Sequence, residues 1–301
     1  MKLRTSKEPR GHGTILALVF VWALVGGGAV RAQTQGQTGQ GSGASQSAAA
    51  AQGGTAQTPA EQSAATEQAA AAPSVIATDR PSFTDSSVVV PRGSLQFEDG
   101  FTETSAAEQQ VYDFPETLVR YGLTPKTELR LGVPDYFQNF KSGAAAGWGD
   151  FSVGMKQQLV AKDGGFEASA VAAVSFPIGT RGISSGGYDA QVLVPWSNPI
   201  SKNWTAAGML GVLWPTEGGR HNATGQFTFL VDRQLTNPWD AFAEYGGEYP
   251  QRGGPQQVVH LGTSFKVTPR QQVDFHFGFG LSAAAVDHFV GIGYSFRFGG
   301  H

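Results

Sequence analysis

The sequence predicts a transmembrane antiparallel up-and-down β-barrel of about 12 strands, and three observations carry that prediction. Apolar residues recur at every second position in segment after segment. Short and long connections alternate between those segments. The last segment, "GIGYSFRFGGH", sets Ile292, Tyr294, Phe296 and Phe298 on one face with Gly291, Gly293, Ser295 and Arg297 on the other. About twelve such segments in some 220 residues match the spacing of membrane strands of about ten residues plus their turns.

Ahead of the barrel stand two other kinds of sequence. Lys2, Arg4, Lys7 and Arg10 precede the apolar run "TILALVFVWALVGGGAV", and Val30-Arg31-Ala32 follows as a small-x-small cleavage site. That order reads as a secretory signal peptide over residues 1–32. For an uncleaved anchor helix the run is short, and Gly26, Gly27 and Gly28 make a poor helical end. Residues 33–76 are rich in Gln, Ala, Gly, Ser and Thr and hold no aromatic residue. Such a stretch buries too little apolar surface to offset its ordering entropy, so it reads as a low-complexity flexible tail on the periplasmic side. Residues 77–301 are the barrel.

Within the barrel the alternation is plain in "GDFSVGMKQQL", where Phe151, Val153, Met155 and Leu159 share a face opposite Asp150, Ser152, Gly154, Lys156 and Gln158. Phe227, Phe229 and Val231 repeat it, as do Val259, Leu261 and Phe265, and Val273, Phe275, Phe277 and Phe279. Further segments run over 95–102, 117–122, 128–133, 166–176, 188–194, 204–211, 239–245 and 290–298. A water-soluble sandwich would turn the apolar face inward. With Gly, Ser, Gln and charged residues on the second face, the opposite assignment follows: Phe, Val and Leu meet lipid and the polar face lines a lumen. Closure pairs every backbone group, which an open sheet in hydrocarbon does not do.

The turns "LTPKT", "AKDGG", "TNPWD" and "TPRQQ" are tight and carry Pro or Gly. "PDYFQNFKSGAAAGW", "PIGTRGISSGG", "PTEGGRHNAT" and "GGEYPQRGGPQ" are the long loops between them, and "WSNPISKN" is long for its place among the short turns. The expected asymmetry puts both termini and the short turns in the periplasm of a Gram-negative-type cell.

Composition excludes several functions. A net charge of -3 without a Lys/Arg run leaves no footprint for nucleic acid, and the absence of Cys removes disulfides, thiolate metal sites and cysteine nucleophiles. No cofactor or metal is implied, and no catalytic residue is assigned. Asp274 and His276, two apart on one strand, lie beside His260 on the next, and i, i+2 side chains start roughly 7 Å apart. A nucleophile–base arrangement needs hydrogen-bond reach, so these residues read as lumen wall. "GFGLS" and "GIGYSF" have no helix after them and are wall glycines rather than phosphate loops.

The expected lumen holds Glu98, Glu167, Asp232, Glu244 and Asp274 against Arg120, Arg130, Lys156, Lys266 and Arg297, with His260 and His276 between them. The signs nearly balance, which argues against strong ion selectivity and allows the charges to pair and partly plug the bore. Tyr136, Phe137 and Phe140, in the long third loop, are the expected mouth for a flat apolar solute or a contact for lipopolysaccharide.

Gly293, Phe296 and Phe298 resemble the C-terminal signal by which the barrel-assembly machinery recognises its clients. Gly291 stands where a polar residue is usual, and Gly299, Gly300 and His301 extend past the final aromatic. The blocks "TDRPSFTDSSVVVPRGSLQFEDGFT", "YGLTPKTELRLGV", "GWGDFSVGMKQQL", "VSFPIGT", "FAEYGGEY" and "VDFHFGFGLS...HFVGIGYSFRF" together resemble the family of the MetA pathway of phenol degradation, over residues 77–298. The resemblance implies an outer-membrane barrel with a transport role toward small aromatic or hydrophobic solutes, by passive or gated diffusion. A non-conducting adhesive barrel and a barrel enzyme are the alternatives.

Overall fold

A computed structural model describes residues 75–107, 109–140, 146–162 and 164–300. The signal peptide and nearly all of the tail lie outside the described residues. In chain order the strands are β1 (Ser94–Ala106), β2 (Gln109–Phe114), β3 (Leu118–Thr124), β4 (Thr127–Gly132), β5 (Tyr136–Asn139), β6 (Gly147–Trp148), β7 (Phe151–Ala161), β8 (Glu167–Phe176) and β9 (Ala190–Ser201). They continue as β10 (Trp204–Trp214), β11 (Thr216–Glu217), β12 (Arg220–His221), β13 (Thr224–Thr236), β14 (Trp239–Pro250), β15 (Gln256–Thr268), β16 (Gln271–Gly280) and β17 (His288–Gly299).

Twelve of them, β1, β3, β4, β7 to β10 and β13 to β17, close a ring of antiparallel neighbours. The seam is the pairing of β1 with β17, in register from Ser94↔Gly299 through Phe97↔Phe296 to Ser105↔His288. Closure removes the edge that a row of unpaired N–H and C=O groups would present to lipid. The terminal aromatics secure the seam: Phe97 stacks on Phe296 at 5.2 Å, and Phe296 meets Phe298 edge-on at 5.2 Å.

The faces are inverted relative to a soluble protein, as the period-2 pattern predicts. Met155, Phe227, Phe229, Phe275 and Ile292 are exposed on the outer wall, while Gln96, Glu98, Arg120, Glu128, Lys156 and His260 are fully buried within. Among the described residues the one cluster of fully buried apolar side chains is Val171, Leu193 and Met209.

Two rims differ. At one, β3 to β4, β7 to β8, β9 to β10, β13 to β14 and β15 to β16 connect by tight turns. "WSNPISKN" is corrected here: Ser197 to Ser201 continue β9 in pairing with β10, leaving Lys202 and Asn203 as the turn. The opposite rim carries the long loops and the β11–β12 hairpin.

Two further expectations change. Tyr136, Phe137 and Phe140 do not form a free loop, because Tyr136–Asn139 pairs with β2 and extends the wall. Phe137 points inward and is 2% exposed, whereas Phe140 is 65% exposed. Alternation in "YFQN", too short to stand out beside Pro134, is what hides this strand in the sequence. Residues 77–93, expected within the barrel, are no part of its wall: they run through the lumen.

Candidate functional site

The site is the lumen and the segment that fills it. Ile76 N donates to Pro269 O at 2.8 Å at the short-turn rim, and Gly93 N donates to Gly122 O at 2.7 Å at the same rim. Between these anchors the chain rises into the bore and returns as an inner loop with its tip near Phe83 and Thr84. This segment has no strand or helix of its own, so its backbone N–H groups need partners from elsewhere. Inward-facing glutamates of the wall supply them. Glu98 Oε2 accepts from Asp79 N at 2.8 Å and Arg80 N at 3.1 Å, and Glu128 Oε2 accepts from Val90 N at 2.7 Å. Glu244 accepts from Phe83 N at 2.9 Å, Thr84 N at 2.8 Å and Thr84 Oγ1 at 2.6 Å.

Charge pairing locks the lower part of the loop. Arg120 is held by Glu128 through Nε at 2.8 Å and through its terminal nitrogen at 2.9 Å, and it reaches Glu98 at 2.8 Å and Asp79 at 3.2 Å. Lys156 Nζ binds Asp79 Oδ1 at 2.9 Å and the Ser86 carbonyl at 2.9 Å. Arg130 bridges Asp79 and Asp85. Three cations and four carboxylates thus form one buried network in which each charge has an opposite partner, the condition under which burial is tolerated. Arg80 pairs with Glu116 and reaches Asp274 at 3.5 Å.

The loop tip sits against histidines. Phe83 lies 4.4 Å from the His260 ring and 5.6 Å from Phe289. His260 Nδ1 bonds Glu244 Oε2 at 2.8 Å, and His260 Nε2 bonds His276 Nδ1 at 3.0 Å. With Glu244 ionised, His260 donates from Nδ1 and accepts at Nε2, so the His276 Nδ1 proton completes the relay. His276 therefore contacts His260 through Nδ1.

Glu98, Arg120, Arg130, Lys156, Glu167, Asp232, Glu244, His260, Lys266, Asp274, His276 and Arg297 occupy inward positions of their strands. Glu98, Arg120, Arg130, Lys156, Glu244 and His260 meet the inner loop directly or pack on it, and Glu167 accepts from Ser87 Oγ at 3.2 Å. Asp274 and His276 are buried beside them, while Asp232 lies lower on β13. Lys266 pairs with Asp240 at 2.5 Å. What the sequence reading missed is Asp79, Arg80, Asp85, Glu116 and Glu128. Glu128 was within reach, sharing parity with Arg130 on β4.

The wall itself is interrupted on one side. β2 and β3 are separated by Pro115-Glu116-Thr117, β4 and β5 by Val133-Pro134-Asp135, and β6 and β7 by Gly149-Asp150. Proline has no N–H to give to a ladder, so regular pairing stops at both prolines. Irregular bonds carry the wall across: Gly100 N to Pro115 O at 2.6 Å, Val133 N to Thr117 O at 2.9 Å and Gly149 N to Asp135 O at 2.7 Å. Beside this line lies a shallow groove of about 390 Å³ lined by Val133, Pro134, Trp148, Gly149, Ile178, Gly179 and Thr180.

A family model described as "Putative MetA-pathway of phenol degradation" matches residues 78–298, a span that includes the inner loop. Among solved structures, the COG4313 outer membrane channel from Pseudomonas putida F1 superposes with a TM-score of 0.57 at 9% identity, covering 70% of this chain and 97% of that one. The NanC porin gives a TM-score of 0.49 at 11% identity, covering 68% of this chain and 100% of that one. No curated protein matches the sequence.

Proposed function

This chain belongs to the family of the MetA pathway of phenol degradation, and from that premise we propose that it is an outer-membrane channel for a small aromatic or hydrophobic solute. The observation that carries the reading is the lumen: a closed barrel with an apolar outer wall whose bore is filled by residues 75–93, attached through side-chain contacts and rim anchors rather than by a ladder. A segment so held leaves the bore by exchanging its partners for water while the wall stays intact. The COG4313 protein of similar fold is described as an outer membrane channel.

In this reading the short turns and both chain ends face the periplasm, the long loops face outward among lipopolysaccharide, and Gly293, Phe296 and Phe298 serve the assembly machinery. Solute reaches the lumen beside Tyr136, Phe137 and Phe140, where the wall is interrupted and the groove of Trp148 and Ile178 lies nearby. It then passes Glu98, Arg120, Arg130, Lys156, Glu167, Asp232, Glu244, His260, Asp274 and His276 once the loop shifts. No chemical step is assigned to the chain.

Single-channel recording of the refolded protein in a planar bilayer, with and without millimolar phenol, tests this. Discrete steps that phenol interrupts are expected. The ion-paired lumen favours a second reading, a closed structural barrel, and a folded, heat-modifiable protein that never conducts would establish it. Alanine at Tyr136, Phe137 and Phe140 that left flux unchanged would sink the proposed mouth.

A further inference from the structure

The lumen charges balance in number but not in place. The cations Arg80, Arg120, Arg130 and Lys156 are all tied to the inner loop or its seat. Toward the long-loop rim the inner wall carries a different set: Ser175 on β8, Asp189 and Gln191 at the start of β9, Gln226 on β13 and Glu248 on β14. Register joins them. Val174 pairs with Ala190, which brings Ser175 beside Asp189, and Gln226 pairs with Glu248. Gly211 of β10 lies between Leu193 and Gln226, and a Cβ there would stand 3.2 Å from Gln226 Oε1, so the amide oxygen reaches across a stave that has no side chain.

All five are buried or partly buried, with Asp189 2%, Gln191 4% and Gln226 5% exposed. Yet both carboxylate oxygens of Asp189, the amide oxygens of Gln191 and Gln226, Glu248 Oε2 and Ser175 Oγ have no hydrogen-bond donor among the described residues. Buried acceptors without donors are costly unless something supplies the hydrogens. Two are formally anionic groups, no Lys or Arg among the described residues shares the arc, and amide and carboxylate oxygens of this kind select for positive charge and N–H donors.

We propose that this arc, five strands wide, is a binding site for solutes that carry an ammonium or guanidinium group, and that it turns carboxylates away. The site assigns a charge class to the channel; it rests on the channel reading only for passage, and binding stands apart from it.

Tyramine and 3-(4-hydroxyphenyl)propionate share a phenol ring and differ in the sign of the side-chain charge. Calorimetry on the refolded full chain in detergent should show tyramine binding and no propionate binding. Asp189→Asn, nearly isosteric, should weaken tyramine about tenfold, the scale of one charge-assisted hydrogen bond; Glu248→Gln should also weaken it, and gives a second readout if the first variant fails to fold. Equal binding of the two probes, no binding of either, or tyramine affinity unchanged in both variants overturns the site. Tyramine that binds without entering protein-loaded liposomes leaves the site standing and removes the channel reading instead.

Discussion

The two ends of the lumen are built from the same inward-facing positions and solve the same problem in opposite ways. Near the short turns each buried charge has a partner: Arg120 is shared by Glu98, Glu128 and Asp79, and Lys156 by Asp79 and the Ser86 carbonyl. Near the long loops the carboxylate of Asp189 has none among the described residues, nor have the amide oxygens of Gln191 and Gln226, whereas the unpartnered oxygens near the short turns, on Ser94, Gln96 and Ser295, are uncharged. Self-satisfied polar groups hold a structure in one arrangement, whereas unsatisfied ones have capacity to spare for something that arrives. Closure therefore belongs to the lower half and recognition to the upper, and a total charge count hides that the cations gather at one end.

Removing the inner loop should separate the halves most strongly. Deletion of residues 77–91 leaves the closed ladder intact and returns Glu98, Glu128 and Glu244 to water, so a persistently open conductance is expected in bilayer recordings where the full chain is closed or flickers. An unchanged conductance would mean that the loop does not limit flow.

Next in size is Arg120→Met. It keeps the stem but leaves Glu98 and Glu128 as buried anions short of a cation, a loss of about 3–5 kcal/mol when one partner of a buried network is removed. Thermal unfolding followed by heat modifiability should fall accordingly, and hydrogen exchange should rise at the N–H groups of Asp79, Arg80 and Val90, whose acceptors are those same glutamates. Retained protection there would show that the loop is seated by its rim anchors and not by charge.

How much of this was legible beforehand follows from what each feature depends on. Wall strands announce themselves because lipid on one side and a lumen on the other impose alternation on every residue, and Glu98, Arg120, Lys156 and Glu244 fall inward by parity alone. The inner loop has no such signature. "TDRPSFTDSS" has no period, because its key residues are placed by partners dozens of positions away, as Asp79 is by Arg130 and Lys156 and Thr84 by Glu244. Nor can a tally of signs along the chain show that the cations gather at one level, since height in the bore depends on register between strands. Tyr136 and Phe137 were misplaced because Pro134 ends one short strand just before another begins.

Glycine gives the finest test of the contrast between halves, since Ala adds one methyl at a known place. At Gly122 the added Cβ would stand 2.1 Å from Pro91 O and 2.5 Å from Val90 O, both backbone atoms of the inner loop. A backbone pinned by the Gly93 N to Gly122 O bond and the Val90 N to Glu128 bond cannot turn aside, so Gly122→Ala should unseat the loop's return limb at about 1–3 kcal/mol, the usual cost of overpacking. At Gly211 the neighbours are Leu193 Cδ2 at 2.4 Å and Gln226 Oε1 at 3.2 Å, both ends of side chains. Leu193 can change rotamer and Gln226 can swing toward the bore, so Gly211→Ala should lower stability by no more than about 1 kcal/mol. Its effect should appear instead in tyramine affinity, because the methyl displaces an acceptor of the upper arc. Equal destabilisation by the two substitutions would mean that the upper wall is as tightly committed as the lower, and would remove the distinction on which the division of labour rests.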